Sequence, residues 1–196
     1  NDNTVATMEK TVPKICHPKF SKSTLIRIIT ILYRICSPLL YIHQKGMIHC
    51  DLKPENILIT EGDQPIIMDF GLSTVFKGKN SREYTDFQMI GLGTMNYMPP
   101  EQFTGAPIDT RSDLFSLGVI FYELLTGALP FPTVFLQNDP TARFRSKVVK
   151  PSELAEGSQE IMDEIVMNLL QFDHRKRTGR VNQIMEKLIY LCPEEK

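Results

Sequence analysis

The chain has 196 residues, of which 42% are hydrophobic and 23% are charged, as expected for one globular domain or a large part of one. Its formal net charge of −1 argues against a protein that binds nucleic acid through bulk positive charge, and we expect no nucleic-acid partner. The four cysteines form no C-x-x-C pair, which predicts free thiols in a reducing, cytoplasmic compartment.

The termini and the apolar stretches suggest a piece of a longer protein without a membrane segment. Arg27, Arg34 and Glu123 interrupt the best apolar runs, so none is expected to reach transmembrane length. The chain begins with Asn1, and no basic and then apolar leader follows it. We therefore expect the sequence to be an excerpt.

The first long element is an amphipathic helix, preceded by a short strand at residues 3–8. Its apolar residues recur at three- and four-residue steps, at Leu25, Ile28, Ile29, Leu32, Ile35, Cys36, Leu39 and Ile42. Ser21 or Ser23 can cap its start, and Gly46 supplies a stop signal. Pro38 predicts a kink or an early break, because an interior proline removes a backbone donor and costs about 3 kcal/mol.

A β-hairpin follows, with strands at residues 57–60 and 65–68 and a turn at 61–63. A polar loop at 49–56 precedes the first strand, and Asp69 follows the second. Both flanks of a rigid hairpin can place their side chains within reach of one metal ion.

The loop and the hairpin carry the residues with the clearest chemical meaning. The sequence His-Cys-Asp-Leu-Lys-Pro-Glu-Asn occupies positions 49–56, and Asp-Phe-Gly occupies positions 69–71. A carboxylate (Asp51) near a lysine (Lys53), an amide (Asn56) and a second carboxylate (Asp69) can orient a hydroxyl, steady a phosphate and hold magnesium. The alternative, a polar loop between two apolar stretches, explains the spacing poorly.

The rest of the chain alternates polar segments with helices. Residues 113–125 are apolar nearly all round and predict a buried central helix that Gly127 ends. The other expected features are a polar, irregular segment at 72–98 with a mobile tip at 77–81, a loop-rich stretch at 131–157, a helix capped by Ser158 and a last helix at 181–191.

Together these motifs resemble those of eukaryotic-type protein kinases, and the resemblance covers essentially the whole chain. Positions 49–56 resemble the H-R-D-L-x-x-x-N catalytic loop, and 69–71 the D-F-G motif. Residues 98–101 resemble the A-P-E motif, 113–118 the D-x-x-S-x-G motif, and Asp173 with Arg177 the D-x-x-x-R motif.

The resemblance implies a fold that is mainly α with a small β-hairpin, as in the C-terminal lobe of the kinase domain. Residues 1–196 would form that lobe, with 1–12 as the end of the last N-terminal-lobe strand and the hinge, and 69–101 as the activation segment. No G-x-G-x-x-G occurs in the chain, so the β-rich N-terminal lobe is expected elsewhere in the full-length protein. We expect the chain alone to be catalytically feeble.

The resemblance also implies roles in phosphoryl transfer from ATP with Mg²⁺ to a protein substrate. Asp51 would accept or orient the proton of the substrate hydroxyl, and Lys53 would stabilise the γ-phosphate. Asn56 and Asp69 would bind Mg²⁺ and through it ATP. A lysine followed by Pro-Glu at this point resembles serine/threonine kinases more than tyrosine kinases.

Other positions acquire roles only through the family pattern. Glu9 and Thr11 fall in the hinge that contacts adenine through backbone groups, and Leu58 falls beneath the adenine ring, although a simple core position would also explain a leucine there. Thr94 falls in the substrate-docking loop, where it would contact Asp51 and Lys53.

The remaining family positions are expected to be structural. His49 and Phe70 would pack in the core, and Gly71 would give the backbone freedom beside the metal ligand. Asp113 opens the buried helix in its motif. We also predict that Glu101 of the A-P-E-like motif and Arg177 of the D-x-x-x-R motif form a buried ion pair.

One departure from the family concerns regulation. Cys50 stands where regulated kinases have an arginine that pairs with a phosphorylated activation loop, and a thiol cannot neutralise a phosphate. We expect a packed, unreactive thiol and an activity that does not require phosphorylation of residues 72–98.

Two other functions stay open from the sequence. A pseudokinase or scaffold would dock partner proteins through the same lobe without phosphotransfer. A small-molecule phosphotransferase of the aminoglycoside type shares the Asp, Asn and Asp arrangement, but the Lys-Pro-Glu sequence at 53–55 is not typical of it.

Overall fold

The structure is a computed structural model that describes residues 19–75, 95–133, 139 and 141–192, with the side chains of residues 74 and 75 excluded. Within these ranges helices predominate, and two small antiparallel sheets accompany them. Several predicted features lie outside the described residues, namely the strand at 3–8, the tip at 77–81, and Glu9, Thr11 and Thr94.

The described part of the chain contains six α-helices and four short strands. The helices are α1 (Lys22–Gln44), α2 (Pro100–Thr104), α3 (Thr110–Thr126), α4 (Pro151–Leu154), α5 (Glu160–Leu169) and α6 (Val181–Leu188). The strands are β1 (Met47–Ile48), β2 (Ile57–Ile59), β3 (Pro65–Ile67) and β4 (Thr74–Val75), and three 3₁₀ helices cover Pro54–Asn56, Ala142–Arg145 and His174–Lys176.

Helix α1 begins and ends as its sequence predicts. The hydroxyl of Ser21 accepts a hydrogen bond from the Thr24 amide at 3.1 Å, and Gly46 follows the helix with a φ of 71°. The predicted early break at Pro38 is wrong, because α1 continues unbroken through this residue. Leu39, beyond the proline, is fully buried, and such burial offsets the lost backbone hydrogen bond.

The expectation that no apolar run reaches transmembrane length also needs correction. Among the described residues, α1 is long and apolar enough by length and composition to cross a membrane. A core helix passes the same test, and one face of α1, including Leu32 and Leu39, is buried within the domain. Its two arginines are accommodated at the hairpin turn, where Arg27 binds the Asp63 carboxylate and Arg34 binds a backbone carbonyl.

Helix α3 forms the centre of the core, as the sequence predicts. Asp109 caps its start by accepting a hydrogen bond from the Arg111 amide at 2.8 Å, and Gly127 ends it with a φ of 70°. Gly118 packs directly against α5, since a Cβ at this position would lie 2.6 Å from the Cβ of Leu169. This glycine allows the two helices to approach closely.

The predicted hairpin is confirmed, but a second sheet was missed. Strands β2 and β3 pair with Leu58 opposite Ile66, and the turn between them includes Gly62 and Asp63, both with positive φ. Strand β4 lies within the segment predicted to be irregular and pairs with β1. A pair of two-residue strands carries no periodicity that a sequence pattern could show.

The C-terminal helices differ from their predicted boundaries. Helix α5 begins after Gln159, and the Ser158 hydroxyl is not its cap. That hydroxyl is buried without a hydrogen-bond partner in the described part of the structure. Helix α6 ends at Leu188, three residues before the predicted end.

Candidate active site

The 49–56 loop is fixed to the central helix by one buried carboxylate. Asp113 accepts hydrogen bonds from the backbone amides of His49 and Cys50, each at 2.9 Å. The ring nitrogen Nε2 of His43, in α1, lies 2.8 Å from the same carboxylate. Asp113 therefore connects α1, the loop and α3, and this role explains the structural position predicted for it. The contribution of His43 was not singled out from the sequence.

A turn at Cys50 directs the loop toward Asp51. Cys50 has a φ of 67°, a conformation that costs a residue with a side chain about 1 kcal/mol or more. Its carbonyl accepts a hydrogen bond from the Gln102 side chain at 3.0 Å. Its thiol is buried in a small cluster with Ile48 and Ile108, in agreement with the expected packing role.

Three predicted residues meet around the Asp51 carboxylate. The Lys53 ammonium lies 2.9 Å from Oδ2 of Asp51. The Asn56 side-chain nitrogen donates to the same oxygen at 3.1 Å and to the Asp51 backbone carbonyl at 2.8 Å. The Asp51 and Lys53 side chains are only 10% and 17% exposed, so their interaction is less screened by water than that of a surface pair.

Two hydrogen bonds join this loop to Met68, the residue after β3. The Met68 amide donates to the Asn56 carbonyl at 2.8 Å, and Nε2 of His49 lies 2.9 Å from the Met68 carbonyl. Asp69 follows directly, so Asn56 and Asp69 come from neighbouring backbone segments. The structure thus brings the two predicted magnesium ligands to the same region.

The left-handed backbone conformation at the second motif lies at Asp69, the predicted metal ligand, and the freedom predicted for the Gly71 backbone stays a prediction. Asp69 has a φ of 58°, and its Oδ1 accepts a hydrogen bond from the Gly71 amide at 3.1 Å. A Cβ on Gly71 would lie 3.0 Å from the same oxygen. Glycine is therefore favoured at position 71 because the carboxylate approaches it closely.

His49 and Phe70 have different environments. His49 is fully buried, as predicted, whereas Phe70 is 42% exposed, so the core position predicted for Phe70 is wrong. Their ring centroids lie 5.0 Å apart. The Asp51 amide donates to Nδ1 of His49 at 3.3 Å, and these contacts favour the tautomer with its proton on Nε2.

The residues available for a cation provide oxygen atoms. Within the described structure both side-chain hydrogen bonds of Asn56 use its nitrogen, which leaves Oδ1 as the amide atom suited to a metal. Asp69 is exposed. Hard oxygen donors of this kind fit Mg²⁺. The described residues contain no cluster of three or more His, Cys, Asp or Glu side chains arranged for a metal.

The hairpin and the residues directly after it expose apolar side chains to solvent. Leu58 and Ile66 are paired across the strands and are each 48% exposed, while Met68 and Phe70 are 39% and 42% exposed. We call these four residues the hairpin face. Leu58 is therefore not a core residue, and an exposed apolar patch of this type marks a binding surface.

The predicted ion pair between Glu101 and Arg177 is confirmed. Their two hydrogen bonds measure 2.6 and 2.8 Å, and both side chains are almost completely buried. The Ser112 hydroxyl donates to Glu101 at 2.8 Å, and Arg177 also donates to the Arg111 carbonyl at 3.0 Å. The pair fixes the start of α2 to the C-terminal helices.

Comparisons with known proteins agree with these motifs. A family model described as the protein kinase domain matches residues 8–189. The serine/threonine-protein kinase pkn2 of Myxococcus xanthus is 34% identical over 174 residues, which are 83% of this chain and 20% of that protein. PknB of Mycobacterium tuberculosis, also a serine/threonine-protein kinase, is 34% identical over 163 residues, 83% of this chain and 26% of PknB.

A probable serine/threonine-protein kinase of Clostridium acetobutylicum is 28% identical over 162 residues, 83% of this chain and 24% of that protein. The chain thus spans between a fifth and about a quarter of the length of these relatives.

Proposed function

This chain belongs to the protein kinase domain family, and from that premise we propose that the protein containing it is a serine/threonine protein kinase. The proposed reaction transfers the γ-phosphate of Mg·ATP to a Ser or Thr hydroxyl of a protein substrate. The observation that carries the proposal is the hydrogen-bonded group of Asp51, Lys53 and Asn56. The names of the relatives support serine and threonine as acceptors.

In this proposal Asp51 acts on the substrate hydroxyl. Its carboxylate would orient the hydroxyl and accept its proton as the bond to phosphorus forms. The hydrogen bond from Asn56 and the backbone contacts of the loop hold the carboxylate before a substrate arrives. Such preorganisation matters because phosphoryl transfer depends mainly on positioning and charge stabilisation.

Lys53 would supply positive charge beside the Asp51 carboxylate, where the transferred phosphate is expected. Its ammonium already lies beside Asp51, and a phosphate would compete for the same group. We propose that Lys53 contacts the transferred γ-phosphate and reduces repulsion between that phosphate and the Asp51 carboxylate.

ATP and Mg²⁺ are the proposed cofactors. Asn56 and Asp69 would hold Mg²⁺, which neutralises phosphate charge during transfer when it is bound. The positive φ of Asp69 and its hydrogen bond from Gly71 fix the backbone that carries this ligand.

The hairpin face is the proposed floor of the nucleotide site. Leu58 would contact the adenine ring, and a β-rich N-terminal lobe of the full-length protein would cover the remaining apolar surface. This proposal makes residues 1–196 the C-terminal lobe, with 1–12 as the end of the last strand and the hinge. Glu9 and Thr11 stay predicted hinge contacts.

Residues 69–101 are the proposed activation segment, of which 69–75 and 95–101 are described. Thr94 stays the predicted contact between the substrate-docking loop and the Asp51 and Lys53 side chains. We propose a reducing, cytoplasmic location, because the cysteines of the described residues, Cys36, Cys50 and Cys192, form no disulfide with one another. Burial raises the pKa of the Cys36 thiol, which keeps it protonated and unreactive.

The direct test is phosphate transfer by the full-length protein. Radiolabelled ATP, Mg²⁺ and a mixture of protein substrates should yield phosphoserine or phosphothreonine, and the Asp51→Asn variant should yield almost none. Asp63→Asn is a matched control, because Asp63 lies in the hairpin turn with a φ of 59°, which asparagine tolerates. A wild-type protein that binds Mg·ATP and transfers no phosphate would instead favour the pseudokinase alternative.

A further inference from the structure

A buried arginine outside the motifs described above contacts the backbone at residues 95 and 96, which directly follow Thr94 in the sequence. Arg143 lies in the 3₁₀ helix Ala142–Arg145 and is only 4% exposed. Its Nη1 donates to the Met95 carbonyl at 2.9 Å, and its Nη2 donates to the Asn96 carbonyl at 2.7 Å. One guanidinium group thus holds two successive carbonyls from a distant part of the chain.

Aromatic rings surround this guanidinium. Its central carbon lies 4.7 Å from the ring centroid of Phe144, 5.6 Å from that of Phe131 and 6.0 Å from that of Phe103. Burial lowers the pKa of Arg143 to about 10, so the group is still a cation at neutral pH. Aromatic faces favour a cation at these distances, and the surroundings keep the side chain in one orientation.

The position of the two carbonyls in the sequence connects Arg143 with the predicted docking residue. Met95 and Asn96 directly follow Thr94, the residue predicted to contact the substrate side of Asp51. The next residue, Tyr97, is held by two further contacts, from its hydroxyl to Glu123 at 2.6 Å and from the Ser116 hydroxyl to its carbonyl at 2.8 Å.

Arg143 is therefore the anchor nearest to Thr94 that the described residues provide. The Glu101–Arg177 pair fixes the same segment at its other end. The path of the backbone at residues 95 and 96 follows from the contact with Arg143.

We infer that Arg143 is a positioning residue for the protein substrate, because it holds the backbone at residues 95 and 96, directly after the predicted docking residue Thr94. This inference rests on the proposed kinase function and adds a determinant of substrate affinity to it. Arginine suits the task better than lysine, since its planar group reaches two carbonyls at once while an ammonium is a point charge. Loss of the contact should weaken substrate binding more than ATP binding.

The experiment uses the full-length protein with Arg143→Met, Arg143→Lys and the control Arg145→Met. Arg145 lies in the same 3₁₀ helix, but its side chain is 71% exposed and pairs with Asp139. For each variant kcat and the KM values for a peptide substrate and for ATP are measured.

Arg143→Met should raise the peptide KM about tenfold or more, since hydrogen bonds to a charged group are lost. The ATP KM should stay within about twofold of wild type. Arg143→Lys should give an intermediate peptide KM, and Arg145→Met should match wild type.

Hydrogen exchange supplies a measurement that does not depend on catalysis. The amides of residues 95–98 should exchange faster in Arg143→Met than in Arg145→Met, with thermal unfolding recorded for both. If Arg143→Met does not fold, Arg143→Lys carries the comparison.

Unchanged exchange at 95–98 together with an unchanged peptide KM would overturn the inference, and so would equal increases in the peptide and ATP KM values. A wild-type protein without transferase activity would overturn the proposed function, and the exchange data would then decide the positioning role alone.

Discussion

The 49–56 loop and the hairpin face lie on neighbouring segments of the chain. The polar groups of the loop have hydrogen-bond partners, whereas the apolar side chains of the hairpin face are largely exposed. Asp113 accepts hydrogen bonds from two backbone amides of the loop, and the Asp51 carboxylate accepts hydrogen bonds from the side chains of Lys53 and Asn56. The hairpin face instead leaves Leu58 and its three neighbours 39–48% exposed. The polar groups of the loop therefore have partners within the chain, whereas the face has the character of a surface that a ligand or another segment covers.

The comparison is tested most strongly at Asp51. In the full-length protein Asp51→Asn should lower kcat by about 10²–10⁴-fold, because the amide cannot accept the hydroxyl proton. The hydrogen bonds around it should largely survive, so the melting temperature should change little. Steady-state transfer assays beside thermal unfolding provide the measurement. Activity close to wild type would show that the loop does not carry the reaction.

The second test concerns the Glu101–Arg177 pair, which fixes α2, the helix whose Gln102 side chain donates a hydrogen bond to the Cys50 carbonyl of the loop. Arg177→Met should lower the free energy of unfolding by about 3–5 kcal/mol, because it leaves the Glu101 carboxylate buried and unpaired. Urea unfolding would measure the change. Arg175→Met is the control, since Arg175 pairs with Asp173 at the surface and its loss should have little effect. Equal stability of the two variants would contradict the importance of burial.

A third test asks whether the hairpin face binds nucleotide without a covering lobe. The 196 residues alone should bind Mg·ATP only weakly, because they supply the proposed floor of the nucleotide site and not its roof. Calorimetric titration of this chain and of the full-length protein would compare the two affinities. Micromolar binding by the chain alone would show that the hairpin face needs no covering lobe.

A fourth test addresses the hairpin face itself. Leu58→Ala should change the free energy of unfolding by no more than about 0.5 kcal/mol, as for most exposed positions. Leu114→Ala, at a fully buried leucine of α3, should cost about 2–5 kcal/mol. Leu58→Ala should nevertheless raise the ATP KM of the full-length protein. An unchanged ATP KM would remove Leu58 from the proposed adenine site.

The smallest effect is expected from phosphorylation of the activation segment. Cys50 offers a buried thiol where an arginine would bind a phosphate, so phosphatase treatment should leave activity nearly unchanged. Joint substitution of Thr74, Ser81, Tyr84 and Thr85 by non-phosphorylatable residues should do the same. Loss of most activity in both experiments would show that another cation replaces the missing arginine.

The features that the sequence predicted well carry strong local or pairwise signals. The end of α3 at Gly127 and the burial of its apolar residues were predicted, whereas its start at Thr110 and the Asp109 cap were not. The Glu101–Arg177 pair could be predicted because the two residues match family motifs whose glutamate and arginine pair, and because neither charge is stable in the core without a partner.

The features that were missed depend on tertiary contacts. The pairing of β1 with β4 involves strands of two residues, and the contact between Gln102 and the Cys50 carbonyl joins positions 52 residues apart. Pro38 did not break α1, because burial beyond it outweighed the local cost. The positive φ of Asp69 likewise follows from its position after β3, and aspartate alone does not reveal it.

The role of Asp113 bears on the order in which the molecule acquires its structure. The amides of His49 and Cys50 find their acceptor 64 and 63 residues later in the chain, so local folding cannot complete the loop. Helix α3 must dock beside α1 before the Asp51 side chain reaches its position in the loop. Such long-range contacts form late in folding. The proposed kinase activity would then depend on that docking. Partial denaturation that separates α1 from α3 should abolish this activity while both helices persist.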